Sequence, residues 1–513
     1  MIRFIVLGIA CILMVCSPAL AAELDQPNIV LIYGDDIGYG DLGCYGATGI
    51  PTPNIDQLAA EGLRFSSAYC TSATCTPSRY SLLTGEYAWR REGTGIAPPN
   101  SPALIESGRT TLASILKKSG YSTGIVGKWH LGLGKPPKPD WSGLIKPGPL
   151  EIGFDYCFLM PTTNDRVPCV YVENHQIVGL DPKDPVDVFM KNPDGQPSGQ
   201  THREVLKMDW SHGHYDSIVN GISRIGFMVG GHDARWVDED MSDVFISKAK
   251  EFIDQNSDQR FFLYFSSQSI HVPRAPNSRF VGSTHHGPRG DAVVEFDSCV
   301  GEIVDTLRDH GILDNTLLLI TSDNGPVLDD GYQDQAEEKL GAHKPAGPFR
   351  GGKYSNFEGG TRVPLIVSWP GRLQPGVSDA LISQIDFAAT LKTIANSNME
   401  IGSSAIPDSL DLSKVLLGVT SSGRDYVVEH AGSLSIRKGD WKYIEPSSGP
   451  AMNLDTNTEL GNSQKPQLYN LANDPGESKN LAPDFPTQLA EMQKVLAEIR
   501  DSPHHQGTTS TGN

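Results

Sequence analysis

Positive charge is scarce in this chain: 42 Lys and Arg stand against 61 Asp and Glu, a formal net charge of -19. A sequence-independent nucleic-acid binder needs a broad basic surface to displace phosphate counterions, so that class is excluded. A single anionic group can still be held, because pairing in a partly desolvated cleft is decided by the charges that line it. Long apolar runs are also missing, apart from Phe4–Cys16, which is shorter than the about 20 residues a spanning helix needs. No membrane span is therefore expected. Cysteine is sparse: besides Cys11 and Cys16 in that first run, only Cys44, Cys70, Cys75, Cys157, Cys169 and Cys299 occur. That is too few for a disulfide scaffold in a chain of 513 residues. Cys157 and Cys169 are the nearest candidates for a pair, and as small hydrophobes they serve equally well unpaired in a core. No internal repeat is visible, which excludes solenoids and propellers.

What the chain does have is glycine, proline and a leader. The 53 Gly and 36 Pro describe a loop-rich globular protein. The start combines a basic Met1-Ile2-Arg3, the apolar run and Ala19-Leu20-Ala21 as a small-x-small cleavage site, the grammar of a signal peptide over residues 1–21. The mature protein is then exported, periplasmic or secreted. Val15 stands where a lipoprotein signal places a small residue, which argues against a lipid anchor on Cys16.

Several segments are short apolar runs that end in Gly, Ser or a charged residue: Asn28–Tyr33, Tyr121–Val126, Phe261–Phe265, Thr316–Thr321 and Val363–Trp369. Such runs are expected of buried parallel strands that lead into functional loops. Helical patterns lie between them at Asn54–Glu61, Thr111–Ser119, Val237–Asn256 and Val293–His310. The alternation predicts an α/β fold, a large mixed, mostly parallel sheet flanked by helices, with ligands gathered where strands end. A linker is expected near Leu417–Gly423. It divides a catalytic domain, residues 22–420, from a small C-terminal α+β subdomain, residues 421–503. Strands at Asp425–Glu429, Leu434–Arg437 and Lys442–Ile444 would form the subdomain's antiparallel sheet, and Pro486–Arg500 its closing helix. Residues 504–513 read as a disordered tail.

Three motifs carry chemistry. Gly34-Asp35-Asp36 follows the first strand, and Ser322-Asp323-Asn324-Gly325 follows Leu317–Thr321 in the same way. Together they offer three carboxylates and an amide carbonyl, hard oxygen donors that favour Ca²⁺, with Mg²⁺ second, over softer metals. The third is Cys75-Thr76-Pro77-Ser78-Arg79, followed by Leu83-Thr84-Gly85. Pro77 suits a first helical turn, so Cys75 would sit at a helix N-terminus that favours an anion. As a bare thiol it could be a low-pKa nucleophile, a redox residue or a packed cysteine.

Here the chain resembles the type I, formylglycine-dependent sulfatases, in their arylsulfatase A-like bacterial branch within the alkaline phosphatase superfamily. Their hallmark is Cys-x-Pro-Ser-Arg followed by Leu-Thr-Gly, matched by residues 75–79 and 83–85. The likeness runs on to Leu468-Tyr469-Asn470-Leu471-x-x-Asp474-Pro475-x-Glu477. It implies an alkaline phosphatase-like fold and oxidation of Cys75 to formylglycine by a formylglycine-generating or anaerobic sulfatase-maturing enzyme. Asp35, Asp36, Asp323 and Asn324, with residue 75, are the implied calcium ligands. Arg79 would steady the aldehyde hydrate. Gly127-Lys128-Trp129-His130 gives Lys128 to the sulfate and His130 to the hydrate. His271 and Lys353 would contact the sulfate and the leaving oxygen. A hydrate hydroxyl would take the sulfo group, and His130 would deprotonate the other so that sulfate is expelled.

The loops Trp89-Arg90-Arg91 with Gly93-Thr94-Gly95, Asn164-Asp165-Arg166, Trp210–His214 and Ala342-His343-Lys344 mix aromatic and polar groups, as sugar sites do. Asp165, Arg166, His212, His214 and His343 are the candidate substrate contacts. Segments Thr162–Glu173 and Ser211–Gly231 resemble those of polysaccharide-degrading sulfatases, which implies a sulfated carbohydrate substrate, foremost a galactose or N-acetylgalactosamine 6-O-sulfate. Two other readings stand beside this one. They are a phosphonate or phosphate monoester hydrolase on the same fold, and a sulfated-glycan-binding protein whose Cys75 is never oxidised.

Overall fold

The computed structural model describes residues 26–502, apart from 194, 399, 401 and 403. The leader at 1–21 and the tail at 504–513 lie outside the described residues. The strand Asn28–Gly34 is buried along its whole length, because both of its edges are paired within the sheet. It runs parallel to Thr316–Ser322 on one side and Phe261–Ser266 on the other, with Ile29 opposite both Leu317 and Phe262. Ser122–Lys128 and Tyr156–Met160 continue the parallel block. The whole is a 10-stranded sheet with helices packed against it. Strands beyond the parallel block are mixed in direction. Leu365–Ser368, expected among the parallel strands, runs antiparallel to Thr316–Ser322; the long connection between them is irregular but for one short helix, Glu358–Thr361, and lacks the full helix that usually carries a parallel crossover.

The helical patterns hold with shifted ends. The helix expected at Val293–His310 spans Gly287–Asp309, because Pro288 in the first turn starts it early, where a missing N–H costs nothing. The pattern at Val237–Asn256 divides into a 3₁₀ turn, Asp238–Asp240, and the helix Met241–Asn256. All six described cysteines are unpaired, so the Cys157–Cys169 pairing is not made. Both are buried, and their thiols face the Asn174 and Arg166 carbonyls. Among the described residues no helix is long and apolar enough to cross a membrane.

A second, four-stranded antiparallel sheet is built from Tyr426–His430, Leu434–Lys438, Trp441–Ile444 and Gln467–Asn470, and the helix Pro486–Asp501 packs on it. Two connections tie it to the loop that leads into Cys75. The His430 carbonyl accepts from the Ala73 N–H at 3.0 Å and the Ser72 hydroxyl at 2.9 Å. Lys442, fully buried, donates to Glu358 at 3.0 Å and Glu429 at 2.9 Å, with Glu477 at 3.8 Å. Glu358 opens the short helix that follows Lys353 and Tyr354, so this ion network fixes the far end of the segment that carries them. Removing the cation leaves buried carboxylates facing one another. Lys442→Ala is expected to lose about 3–5 kcal/mol of unfolding free energy. Urea denaturation measures it, and a loss near zero would contradict the network's role.

Candidate active site

Two parallel strands deliver acidic turns to one spot. Asp35, Asp36 and Asp323 are fully buried, and ligating oxygens from the three lie within 4.8 Å of one another. Asp36 adopts a left-handed backbone, φ 60°, strain that persists only when the surroundings hold it. Here its N–H donates to Asp323 at 3.2 Å, its carboxylate accepts from Asn324 Nδ2 at 2.7 Å, and Lys353 Nζ reaches it at 2.9 Å. Asp35 accepts from Lys128 Nζ at 2.6 Å. Arg79 Nε donates to Asp323 at 3.0 Å and Nη1 to the Ser266 hydroxyl at 2.5 Å.

The anions and cations do not balance by pairing alone. Burial pushes Asp35 up to about 8 in spite of Lys128, with Asp323 and Asp36 adding to the rise. Asp36 moves the other way, because Lys353 and Lys128 outweigh the same burial. Asp35 Oδ1 and Asn324 Oδ1 are buried with no hydrogen-bond partner. Unsatisfied buried oxygens that converge with carboxylates are the donor set of a hard divalent cation. The residues present therefore fit such an ion.

Cys75 opens the helix Cys75–Thr84, every residue of which is buried. Its sulfur, a carboxylate oxygen of Asp35 and a ring nitrogen of His271 also lie within 4.8 Å of one another. Burial drives the Cys75 thiol up to about 12, although Lys128 and Lys353 pull it down. At neutral pH it stays protonated, which makes it a poor nucleophile as it stands.

Both histidines keep a ring nitrogen with a free lone pair. The His130 ring reaches the Ala97 carbonyl through Nε2 at 3.1 Å, so Nε2 holds the proton and Nδ1, buried and without a partner, is free to accept one. Burial, with Lys128 and Arg166 adding, holds this imidazole neutral. His271 donates from Nδ1 to the Val272 carbonyl at 2.7 Å, which leaves Nε2 facing Asp36 at 3.9 Å. Burial, Lys353 and Lys128 hold it neutral as well.

Of the candidate substrate residues, Asp165, Arg166 and His214 come together at the edge of this cluster. His214 Nε2 lies 2.8 Å from Asp165, whose other oxygen accepts from the Thr163 hydroxyl. Arg166 lies 3.8 Å from Asp165, and the charges of Asp165 and, from the side of Lys353, Asp330 favour its cation. Asn164 Nδ2 donates to the His271 and Pro273 carbonyls at 3.1 and 3.2 Å, which staples this loop to the catalytic one. His212 lies 3.9 Å from Asp329 and is half-buried. His343 is not brought in: its Nε2 is bound to Asp41 at 2.8 Å beneath Arg289. Arg90 is spent on Asp408.

Two groups escape the sequence reading. Asp330 accepts from Lys353 at 2.8 Å and from the Tyr354 hydroxyl at 3.0 Å. The visible signal was Asp329-Asp330-Gly331, which reads as an ordinary turn. The other is Asp41, whose side-chain partners Arg289 and His343 lie more than 240 residues away in sequence.

With this geometry in place, the comparisons with known proteins decide the family. The sulfatase family model matches residues 27–397. The chain belongs to the sulfatases. It is 49% identical over 478 residues, 93% of each chain, to an N-acetylgalactosamine-6-O-sulfatase of Bacteroides thetaiotaomicron. It is 32% identical over 502 residues to human arylsulfatase A, covering 94% of this chain and 89% of that one. A solved structure from the glycosaminoglycan metabolism of Bacteroides thetaiotaomicron superimposes with a TM-score of 0.91 at 49% identity, over 93% of this chain and 100% of the other. The protein is a sulfuric ester hydrolase on an alkaline phosphatase-like fold.

The misplaced His343 yields a test. Burial alone would raise the Asp41 carboxyl, but Arg289 and the His343 hydrogen bond outweigh it and bring it from an ordinary 3.8 down to about 2. A depressed folded value stabilises above the unfolded one, by about 2 kcal/mol, and that is lost as pH falls through the folded one. In urea unfolding of this sulfatase, the stability gap between wild type and Asp41→Asn should narrow from about pH 5 to pH 2. A gap that stays constant would contradict the assignment.

Proposed function

We propose that this sulfatase removes the 6-O-sulfate of a galactose or N-acetylgalactosamine residue, using formylglycine made from Cys75 and a bound Ca²⁺. The observation that carries the substrate is the 49% identity, over nearly the full length, to an N-acetylgalactosamine-6-O-sulfatase, together with a loop that sets Asp165, Arg166 and His214 beside the reaction centre. The donor set of Asp35, Asp36, Asp323 and Asn324 supports a calcium site, and the high pKa of the bare Cys75 thiol supports a modified nucleophile. When present, the cation polarises a sulfate oxygen, and the aldehyde hydrate supplies an oxygen nucleophile that a thiol at this position cannot.

The chain's own residues do the rest. Arg79, held by Asp323 and Ser266, fixes the orientation of residue 75. Lys128 and Lys353 place ammonium groups where sulfate oxygens sit, a preorganised electrostatic term of the kind that contributes most to catalysis. Lys353 stays charged, because Asp330 and Asp36 outweigh its burial. It stabilises the charge that develops on the departing sugar oxygen. His130, neutral with Nδ1 free, accepts the proton released from residue 75 as sulfate leaves. His271, neutral in these surroundings, becomes a proton donor to the leaving oxygen once the anionic ester beside it raises its pKa. Asp165 and Arg166 read ring hydroxyls, and His214 holds Asp165 in place. The signal peptide places the enzyme outside the cytoplasm, after the maturing enzyme has acted on Cys75.

The test is protein co-produced with a formylglycine-generating enzyme. Peptide mass should show an aldehyde at position 75, and sulfate should be released from N-acetylgalactosamine 6-sulfate in preference to the 4-sulfate. Asp165→Ala should cost about 10²-fold or more in kcat/KM, as loss of a buried polar contact to substrate does. Equal turnover by thiol-bearing protein would overturn the nucleophile, and preference for the 4-sulfate would overturn the substrate.

A further inference from the structure

A groove opens beside the cluster around Cys75. A cavity of about 650 Å³ begins at Thr74 and Pro77, either side of the nucleophile position, and at Tyr354, next to Lys353. It runs out between the Trp89–Ile96 loop and the end of the C-terminal sheet at His430. A second cavity of about 600 Å³ shares Trp89, His430 and Gly432 with the first and continues toward Arg500. The volume of the first alone lies within the usual range of small-molecule sites.

Three features say what this groove takes. Its apolar surface includes Trp89, half-buried, and Ile96, 43% exposed, a mixture that suits the C–H face of a sugar ring. Each guanidinium that lines it is ion-paired: Arg91 with Glu86 at 2.7 Å, a carboxylate it shares with Arg109, Arg90 with Asp408 at 2.9 Å, and Arg500 with Glu445. Among the described residues that line it, none offers an unpaired cation to a second sulfate. His430 stands where the two cavities meet. Its ring has no hydrogen-bond partner among the described residues, and burial keeps it neutral. A neutral imidazole offers one donor and one acceptor, the complement of a hydroxyl. The carbonyl of the same residue is fixed by Ser72 and Ala73, so the ring is held in register with the reaction centre.

We propose that this groove binds the uncharged sugar glycosidically linked to the sulfated residue, with His430 as a specificity residue that hydrogen-bonds its hydroxyls. The inference rests on the carbohydrate 6-O-sulfatase reading. It makes the enzyme one that recognises an oligosaccharide rather than an isolated sulfated monosaccharide.

The test compares kcat/KM for N-acetylgalactosamine 6-sulfate with that for two disaccharides carrying the same sulfated residue, one with the neutral neighbour on its reducing side and one on its other side. Three proteins are assayed: the mature wild type, His430→Ala and Gly95→Trp. Gly95 lines the groove, and a Cβ added there meets no heavy atom within 4 Å, so a side chain at this position is introduced into open space and is expected to obstruct the groove. For the wild type, one disaccharide should exceed the monosaccharide by about tenfold or more, mainly through KM, the size of effect one good polar contact gives. Gly95→Trp should bring that ratio close to one, and His430→Ala should reduce it several-fold. If the wild type turns over the monosaccharide and both disaccharides equally, the groove is not a sugar site and the proposal falls while the sulfatase reading stands. A ratio that neither variant changes also overturns it. If none of the three 6-sulfated substrates is turned over, the substrate reading fails and the proposal fails with it.

Discussion

The structure depends on the repulsion between buried carboxylates at the ends of two neighbouring strands. Asp35, Asp36 and Asp323 are withdrawn from water, where each ionised group costs several kcal/mol unless it is compensated. Lys128, Lys353 and Arg79 each take one of them. The compensation is incomplete, since Asp35 remains driven toward its protonated form and two oxygens lack partners. The donors left in this condition fit a hard divalent cation. The same positive side chains that stabilise the cluster face the position where a sulfate ester would lose its sugar.

Topology explains how residues so far apart converge. Parallel strands end on one side of the sheet, so Asp35, Lys128 and Asp323, which follow or end three of the strands, share one edge. The Cys75 helix points its N-terminus into the same space. The C-terminal sheet then closes the site from the other side. Its first strand is hydrogen-bonded to the Cys75 loop, and the Lys442 network holds the segment that carries Lys353 and Tyr354. The small second sheet thus fixes, from behind, the two segments that carry Cys75 and Lys353.

Much of this was legible in the sequence, for a physical reason. A fully buried strand is an unbroken apolar run, and carboxylates directly after it are costly to bury, so the acidic pair after Asn28–Tyr33 and the single Asp323 after Thr316–Thr321 stand out when taken together. Cys75 and Arg79 are legible as a spaced motif. What was hidden are partnerships that only the fold creates. Asp330 looks like a turn residue until Lys353 is placed against it. His343 looks like a loop histidine suited to a sugar until Asp41 and Arg289 claim it. The direction of Leu365–Ser368 depends on its connection, which its own composition does not encode. The pairing of Cys157 with Cys169 failed because nearness in sequence says little about where two thiols point. His430 was passed over because nothing in its neighbours marks it; only the cavity does.

Three buried carboxylates and an amide oxygen are here proposed to form one hard-cation site beside residue 75. The most direct measurement is calorimetric titration of Ca²⁺ into metal-stripped protein, read together with Tm, so that activity is not needed. The account predicts saturable binding of one ion per chain with a rise in Tm, since a ligand that binds only the folded state stabilises it, and loss of both in Asp36→Asn. Heat and Tm unchanged by Ca²⁺ in the wild type would contradict it.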